Sequence, residues 1–112
     1  MANINEKIES AVKENKVMIF MKGNRSFPQC GFSAATVAIF EELGVPFATA
    51  DVLSDPELRD AIKRYSNWPT IPQVYIDGKF VGGCDIIREL HETGELEPLV
   101  KAALAATSAA RG

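Results

Sequence analysis

The chain has 112 residues, 46% hydrophobic and 24% charged, with a net charge of -3 and a pI near 5.1. That length suits one domain over residues 1–112 that needs no disulfide staples, and the acidic balance gives no footing for nucleic-acid binding through bulk charge. No apolar run approaches the ~20 residues of a membrane span, and the N-terminal "MANINEKIES" lacks the order of a signal peptide.

In chain order, Ile4, Ile8, Ala11 and Val12 share one face of a helix expected from Ile4 to Asn15. "VMIFM" (Val17 to Met21) is all apolar, as in a strand buried on both faces. A polar loop leads to Cys30. The spacing then predicts a helix from Gly31 to Leu43, with Val37, Phe40 and Leu43 facing in and Gly44 as its stop. "PFATADV" reads as a second strand. "SDPE" opens the next helix, with Ser54 and Glu57 placed for a capping box and Pro56 in the first turn. Its buried stripe is expected at Leu58, Ala61, Ile62 and Tyr65. "QVYI" and "KFV" flank Asp77-Gly78, the dipeptide of a tight hairpin. A helix follows from Asp85 to His91, stopped by Gly94. Leu96, Leu99, Val100, Ala103 and Leu104 mark a last one. The core spans about 4–104, and the tail 105–112 is expected to fray.

A β-α-β unit beside a hairpin predicts a four-stranded mixed sheet with helices on both faces. A thiol after the first strand, opening a helix, points to the thioredoxin-like α/β fold.

Three stretches carry chemistry. In "KGNRSFPQCGFS" the thiol of Cys30 opens a helix, and the position of a second cysteine in C-x-x-C holds Ser33. A helix N-terminus and the cation of Lys22 both favour the thiolate. The alternative is a buried structural cysteine, the commonest fate of a free Cys. Ser33 can hydrogen-bond near Cys30 but cannot resolve a mixed disulfide. In "WPTIPQ", Ile71-Pro72 is a candidate cis bond. It would turn the Ile71 N-H and C=O towards Cys30, where an extended peptide could pair as an added strand. Trp68 reads as a packing residue. In "GGCD", the free N-H groups of Cys84 and Asp85 would form an anion site at a helix start. Asp85 serves equally as a cap or as a partner for an amine. Arg59, four residues before Lys63, reads on spacing alone as part of a solvated basic face. His91, with no partner at metal-ligand spacing, reads as surface.

Together "MKG", "PQCGFS", "NWPTIPQVYIDGKFVGGCDI" and "GEL" resemble the monothiol glutaredoxins of the CGFS type, in the same order over about residues 4–104. The resemblance implies the short, single-domain form and a site for glutathione. It implies that Lys22 and Arg59 hold the glycine carboxylate. The Ile71 backbone before Pro72 would pair with the cysteine residue. The Cys84 backbone and Asp85 would hold the γ-glutamyl end. A tripeptide with two carboxylates and one amine suits such a set.

Two functions are then open. As an enzyme, Cys30 would take glutathione from a protein mixed disulfide and be freed by a second glutathione. As a carrier, Cys30 and the bound glutathione would each give one ligand to a 2Fe-2S cluster. Such a cluster needs four ligands, so two chains would share it as a homodimer. The residues "NRSFP" are extra relative to dithiol glutaredoxins and should shift how glutathione lies against Cys30. The resemblance therefore implies weak reductase activity and a main role in cluster transfer or iron signalling. Apo iron-sulfur recipients and a BolA-like protein are the implied partners. Two cysteines make no secreted framework, so the expected setting is cytoplasmic, or an organelle stroma or matrix after removal of a transit peptide.

Overall fold

Helix α1 (Ile4–Glu14) starts at Asn3, whose side chain accepts from the Glu6 N-H at 2.9 Å, and it buries Ile8 and Val12. The computed structural model that gives these positions describes residues 3–111, with 106–111 described by their backbone alone. The outer limits of the expected domain, residues 1, 2 and 112, lie outside it. Strand β1 (Val17–Met21) is buried at every position. It pairs in parallel with β2 (Ala48–Asp51) and antiparallel with β3 (Gln73–Ile76), and β3 pairs with β4 (Lys79–Gly82), giving the order β2-β1-β3-β4. This is the expected mixed four-stranded sheet.

Two cores follow from the alternation of side chains along the strands. Val17, Ile19 and Met21 of β1 and Val74 and Ile76 of β3 meet Val37 and Phe40 of helix α2 (Gly31–Leu43). The same core takes Ile87 from helix α4 (Cys84–Glu92) and Leu96, Val100 and Ala103 from helix α5 (Leu96–Arg111). On the other face Met18, Phe20 and Tyr75 meet α1 and Ala61 and Ile62 of helix α3 (Pro56–Ser66). A central strand with both faces covered must be apolar throughout, which explains "VMIFM". Asp77 and Gly78 turn the hairpin at φ 55° and 78°, both in the left-handed region that such a turn demands.

Several expectations are corrected. The cap of α3 is Asp55, which accepts from the Glu57 and Leu58 N-H groups at 3.1 and 3.2 Å, while the Ser54 hydroxyl donates to the Asp51 carbonyl. A carboxylate next to Pro56 sits one residue nearer the first turn and outcompetes the hydroxyl. Tyr65 is 42% exposed because only one face of its ring packs, on Tyr75. Leu99 is 41% exposed and lies off the buried stripe of α5. The backbone of α5 is helical to Arg111, through an alanine-rich run that favours helix. His91 is not free on the surface, since its Nε2 lies 3.4 Å from Glu42 Oε2 and links α4 to α2.

Candidate functional site

The site grows from the end of β1. After Lys22, residues 23–29 form an ordered loop before α2. Gly23 donates its N-H to Asp51 Oδ1 at 2.9 Å, and Gln29 donates its N-H back to the Lys22 carbonyl at 2.9 Å. Within the loop Asn24 Oδ1 accepts from the Ser26 and Phe27 N-H groups. Arg25 ties the loop to the body: its Nε is 2.6 Å from Glu41 Oε1, and its guanidinium stacks 3.8 Å above the Phe47 ring. These bonds tie the loop to the body, and it displays Phe27 with 71% of its surface exposed.

Cys30 is the N-cap residue of α2, half-buried and a free thiol. Its pKa lies below the ordinary thiol value. The Ser33 N-H is the largest cause, followed by the Phe32 N-H, the Lys22 charge and the Ser33 hydroxyl, while burial opposes them. Helix-start amides thus do more here than the cation does, because they point at the sulfur from the first turn. Ser33 is fully buried, and its Oγ accepts from the Lys22 N-H at 3.1 Å. That bond fastens the end of β1 to the first turn of α2.

Beside the thiol runs a groove of about 500 Å³. The structure brings six of the seven sequence-derived residues to its wall: Lys22, Cys30, Ile71, Pro72, Cys84 and Asp85. Arg59 is not in the wall; it is exposed on α3, and Lys63 lines the groove one helical turn later. The sequence signal for Lys63 was its spacing four residues from Arg59, which puts both on one face of α3. Phe32, Trp68 and Ile86 add apolar wall. Trp68 both lines the groove and packs its ring on Phe80 at 5.7 Å.

The Ile71-Pro72 bond is cis, as expected. Among the described residues no group hydrogen-bonds to the Ile71 N-H or C=O. At the far end, α4 starts at Cys84 after Gly83, and the first helical bond is the Ile87 N-H to the Gly83 carbonyl. The amides of Cys84, Asp85 and Ile86 thus precede the helical ladder, as an anion site requires. Asp85 is in the first turn and is not the cap. A side chain at Gly83 would put a Cβ 3.1 Å from the Pro72 carbonyl, so the residue must be small. Cys84 is a buried free thiol whose Sγ lies 3.5 Å from Arg88 Nη2.

The groove thus combines one accessible thiol with a lowered pKa, two lysines, an unpaired stretch of backbone at Ile71 and a helix start with an acid beside it. Among the described residues no group of three or more His, Cys, Asp and Glu is arranged to hold a metal ion, and no helix is long and apolar enough to cross a membrane.

Comparison with known proteins agrees with this geometry. A glutaredoxin family profile matches residues 17–81. A curated relative from Synechocystis sp., described as an uncharacterized monothiol glutaredoxin ycf64-like, is 58% identical over 88% of this chain and 92% of its own. The solution structure of reduced poplar apo GrxS14 superposes with a TM-score of 0.81 at 45% identity, covering 91% of this chain and 94% of that one. A crystal structure of a buckwheat glutaredoxin-glutathione complex superposes with a TM-score of 0.80 at 26% identity, covering 89% of each chain. With a single thiol at the start of α2, Ser33 in place of a second, and relatives of this kind along most of its length, the chain belongs to the glutaredoxin family, in its monothiol branch.

Proposed function

We propose that the chain binds glutathione in the groove and, as two copies, carries a 2Fe-2S cluster as cargo between two Cys30 thiolates and two glutathione thiolates. The observation that carries the reading is the unpaired Ile71 backbone beside an activated thiolate. An extended peptide laid there gains strand-like hydrogen bonds and brings its own sulfur next to Cys30. Lys22 and Arg59, with Lys63 in the wall, would take the glycine carboxylate. The Ile71 backbone, before Pro72, would pair with the cysteine residue. The Cys84 N-H would take the γ-glutamyl carboxylate and Asp85 the amine. The buckwheat relative was crystallised with this tripeptide.

The donor set fits a shared cluster. Each chain offers one accessible thiolate, and four ligands are needed. Two chains with their glutathiones supply four, with little direct protein contact and easy release to apo iron-sulfur recipients. Such an assembly would act in cluster transfer and iron homeostasis. A BolA-like protein in place of one copy is the regulatory variant of the same geometry. The cytoplasm, or an organelle stroma or matrix, supplies the reduced glutathione this requires.

The depressed pKa of Cys30 favours a second reading, a glutathione-dependent thiol-disulfide oxidoreductase. Cys30 would attack the glutathione sulfur of a protein mixed disulfide and release the protein thiolate. A second glutathione thiolate would then attack the Cys30-glutathione bond, freeing Cys30 and leaving as glutathione disulfide. The extra residues of loop 23–29 should shift how glutathione lies against Cys30, so this activity is expected to be weak.

Anaerobic reconstitution with iron, sulfide and glutathione tests the reading by absorption and size-exclusion chromatography. Visible cluster bands should elute with a dimer. A colourless monomer under those conditions would count against the cluster role and leave the oxidoreductase.

A further inference from the structure

Gln73 is the largest polar side chain that is fully buried, and the site as described makes no use of it. It begins β3 directly after Pro72, and its side chain is turned to the α1/α3 face of the sheet beside Tyr75. Its Nε2 donates to two main-chain carbonyls of the preceding loop, Trp68 at 3.1 Å and Thr70 at 3.3 Å. Its Oε1 accepts from the Tyr75 hydroxyl at 3.2 Å. Tyr75 is itself fixed by rings on several sides, edge-on to Phe20 at 5.7 Å and against Phe80 at 5.4 Å. Burial pushes its pKa up to about 12, so the hydroxyl keeps its proton and donates.

The loop between Trp68 and Pro72 has no helical or ladder bonds of its own. Two of its carbonyls are pinned by one amide, and only Ile71 and Pro72 lie between that pinned pair and Gln73. We propose that Gln73 is a positioning residue for the groove: its amide holds Trp68 and Thr70 so that the Ile71 N-H and C=O stay aimed at an extended peptide ligand. The amide is needed because only a group with two N-H donors and one acceptor on one sp² centre satisfies two carbonyls and a hydroxyl at once. An apolar residue would leave both carbonyls without this donor and with nothing to tie them to β3. A carboxylate would oppose them with lone pairs.

This rests on the glutathione reading of the groove, so the experiment separates the two. Glutathione is titrated calorimetrically into the full chain, wild type, Gln73→Glu, Gln73→Met and Tyr75→Phe. Backbone 15N relaxation and the pH dependence of Cys30 alkylation are recorded on each. Gln73→Glu and Gln73→Met are expected to lose about tenfold or more in affinity. Tyr75→Phe keeps both amide donors and should lose less than about threefold. The alkylation midpoint of Cys30 should not move, because the groups that set it lie on α2 and at Lys22. The order parameters of Thr70 and Ile71 should fall below about 0.6 in the Gln73 variants, with Val74 to Ile76 staying near about 0.85. A folded Gln73→Met or Gln73→Glu chain with wild-type affinity and a wild-type order parameter at Ile71 overturns the proposal. If the wild type itself does not bind glutathione, the ligand reading fails instead. The relaxation data then decide the clamp alone, with unaltered order parameters at Thr70 and Ile71 overturning it. If one Gln73 variant does not fold, the other and Tyr75→Phe carry the same comparison.

Discussion

At the scale of single residues, one sulfur atom is activated and the other is stored. Cys30 has the Ser33 and Phe32 N-H groups and Lys22 to favour its thiolate, while Cys84 is buried against the Arg88 guanidinium. The rate of Cys30 alkylation should therefore rise with a midpoint below the ~8.5 of an unperturbed thiol. The pKa is lowered, so the reactive form is already present on the acid side of that value, and Lys22→Ala should move the midpoint upward. A midpoint at or above ~8.5 in the wild type would remove the activated site. Cys84→Ser should leave cluster assembly largely intact, whereas Cys30→Ser should abolish it together with the dimer. Loss of the cluster in a folded Cys84→Ser chain would instead assign Cys84 as a ligand. Most of this was legible in the sequence, because a thiol opening a helix is a local pattern. Lys63 was not singled out, since which basic residue of α3 faces the groove depends on how that helix is rotated on the sheet. Gln73 was unremarkable for the same kind of reason: its three partners are a loop and a ring that only the folded sheet brings together.

At the scale of elements, the caps and turns decide where the groups stand. Asp55→Ala removes the side chain that accepts from two N-H groups at the start of α3. It should cost about 1 kcal/mol, measured as a lower denaturant midpoint with an unchanged slope. No loss of stability would return the cap to Ser54. Gly23 adopts φ 87°, and a Cβ there would lie 2.5 Å from the Phe27 carbonyl and 2.6 Å from the Gln29 N. Gly23→Ala should therefore destabilise by more than about 1 kcal/mol and disturb the amide signals of residues 22–29. A spectrum unchanged over that loop would mean that the loop has room the structure denies it. Helix and strand positions were readable from periodicity, down to Gly31–Leu43 for α2 and the Asp77-Gly78 turn. The cap of α3 was misread by one residue because Ser54 and Asp55 are both good caps, and only the path of the chain after β2 chooses between them.

At the scale of the whole molecule, the proposed cluster needs a second copy, since one chain with its glutathione would offer two of four ligands. Leaving glutathione out of the reconstitution should prevent both colour and dimer, unless another small thiol is supplied. A glutathione-coupled assay on a small mixed disulfide should give poor turnover beside a dithiol glutaredoxin. Comparable turnover would shift the balance to the oxidoreductase. The fold class was the most legible level of all, since an α, β-α-β, hairpin, α-α order admits few ways to cover both faces of one sheet. The packing of Gly83 on the Pro72 carbonyl has a consequence at this scale. Two walls of the groove, one from the sheet and one from α4, meet there without a side chain between them. Such close backbone contact favours a groove formed before its guest arrives. Capture should be a single-step encounter, and how long the guest stays is set by the departure rate alone.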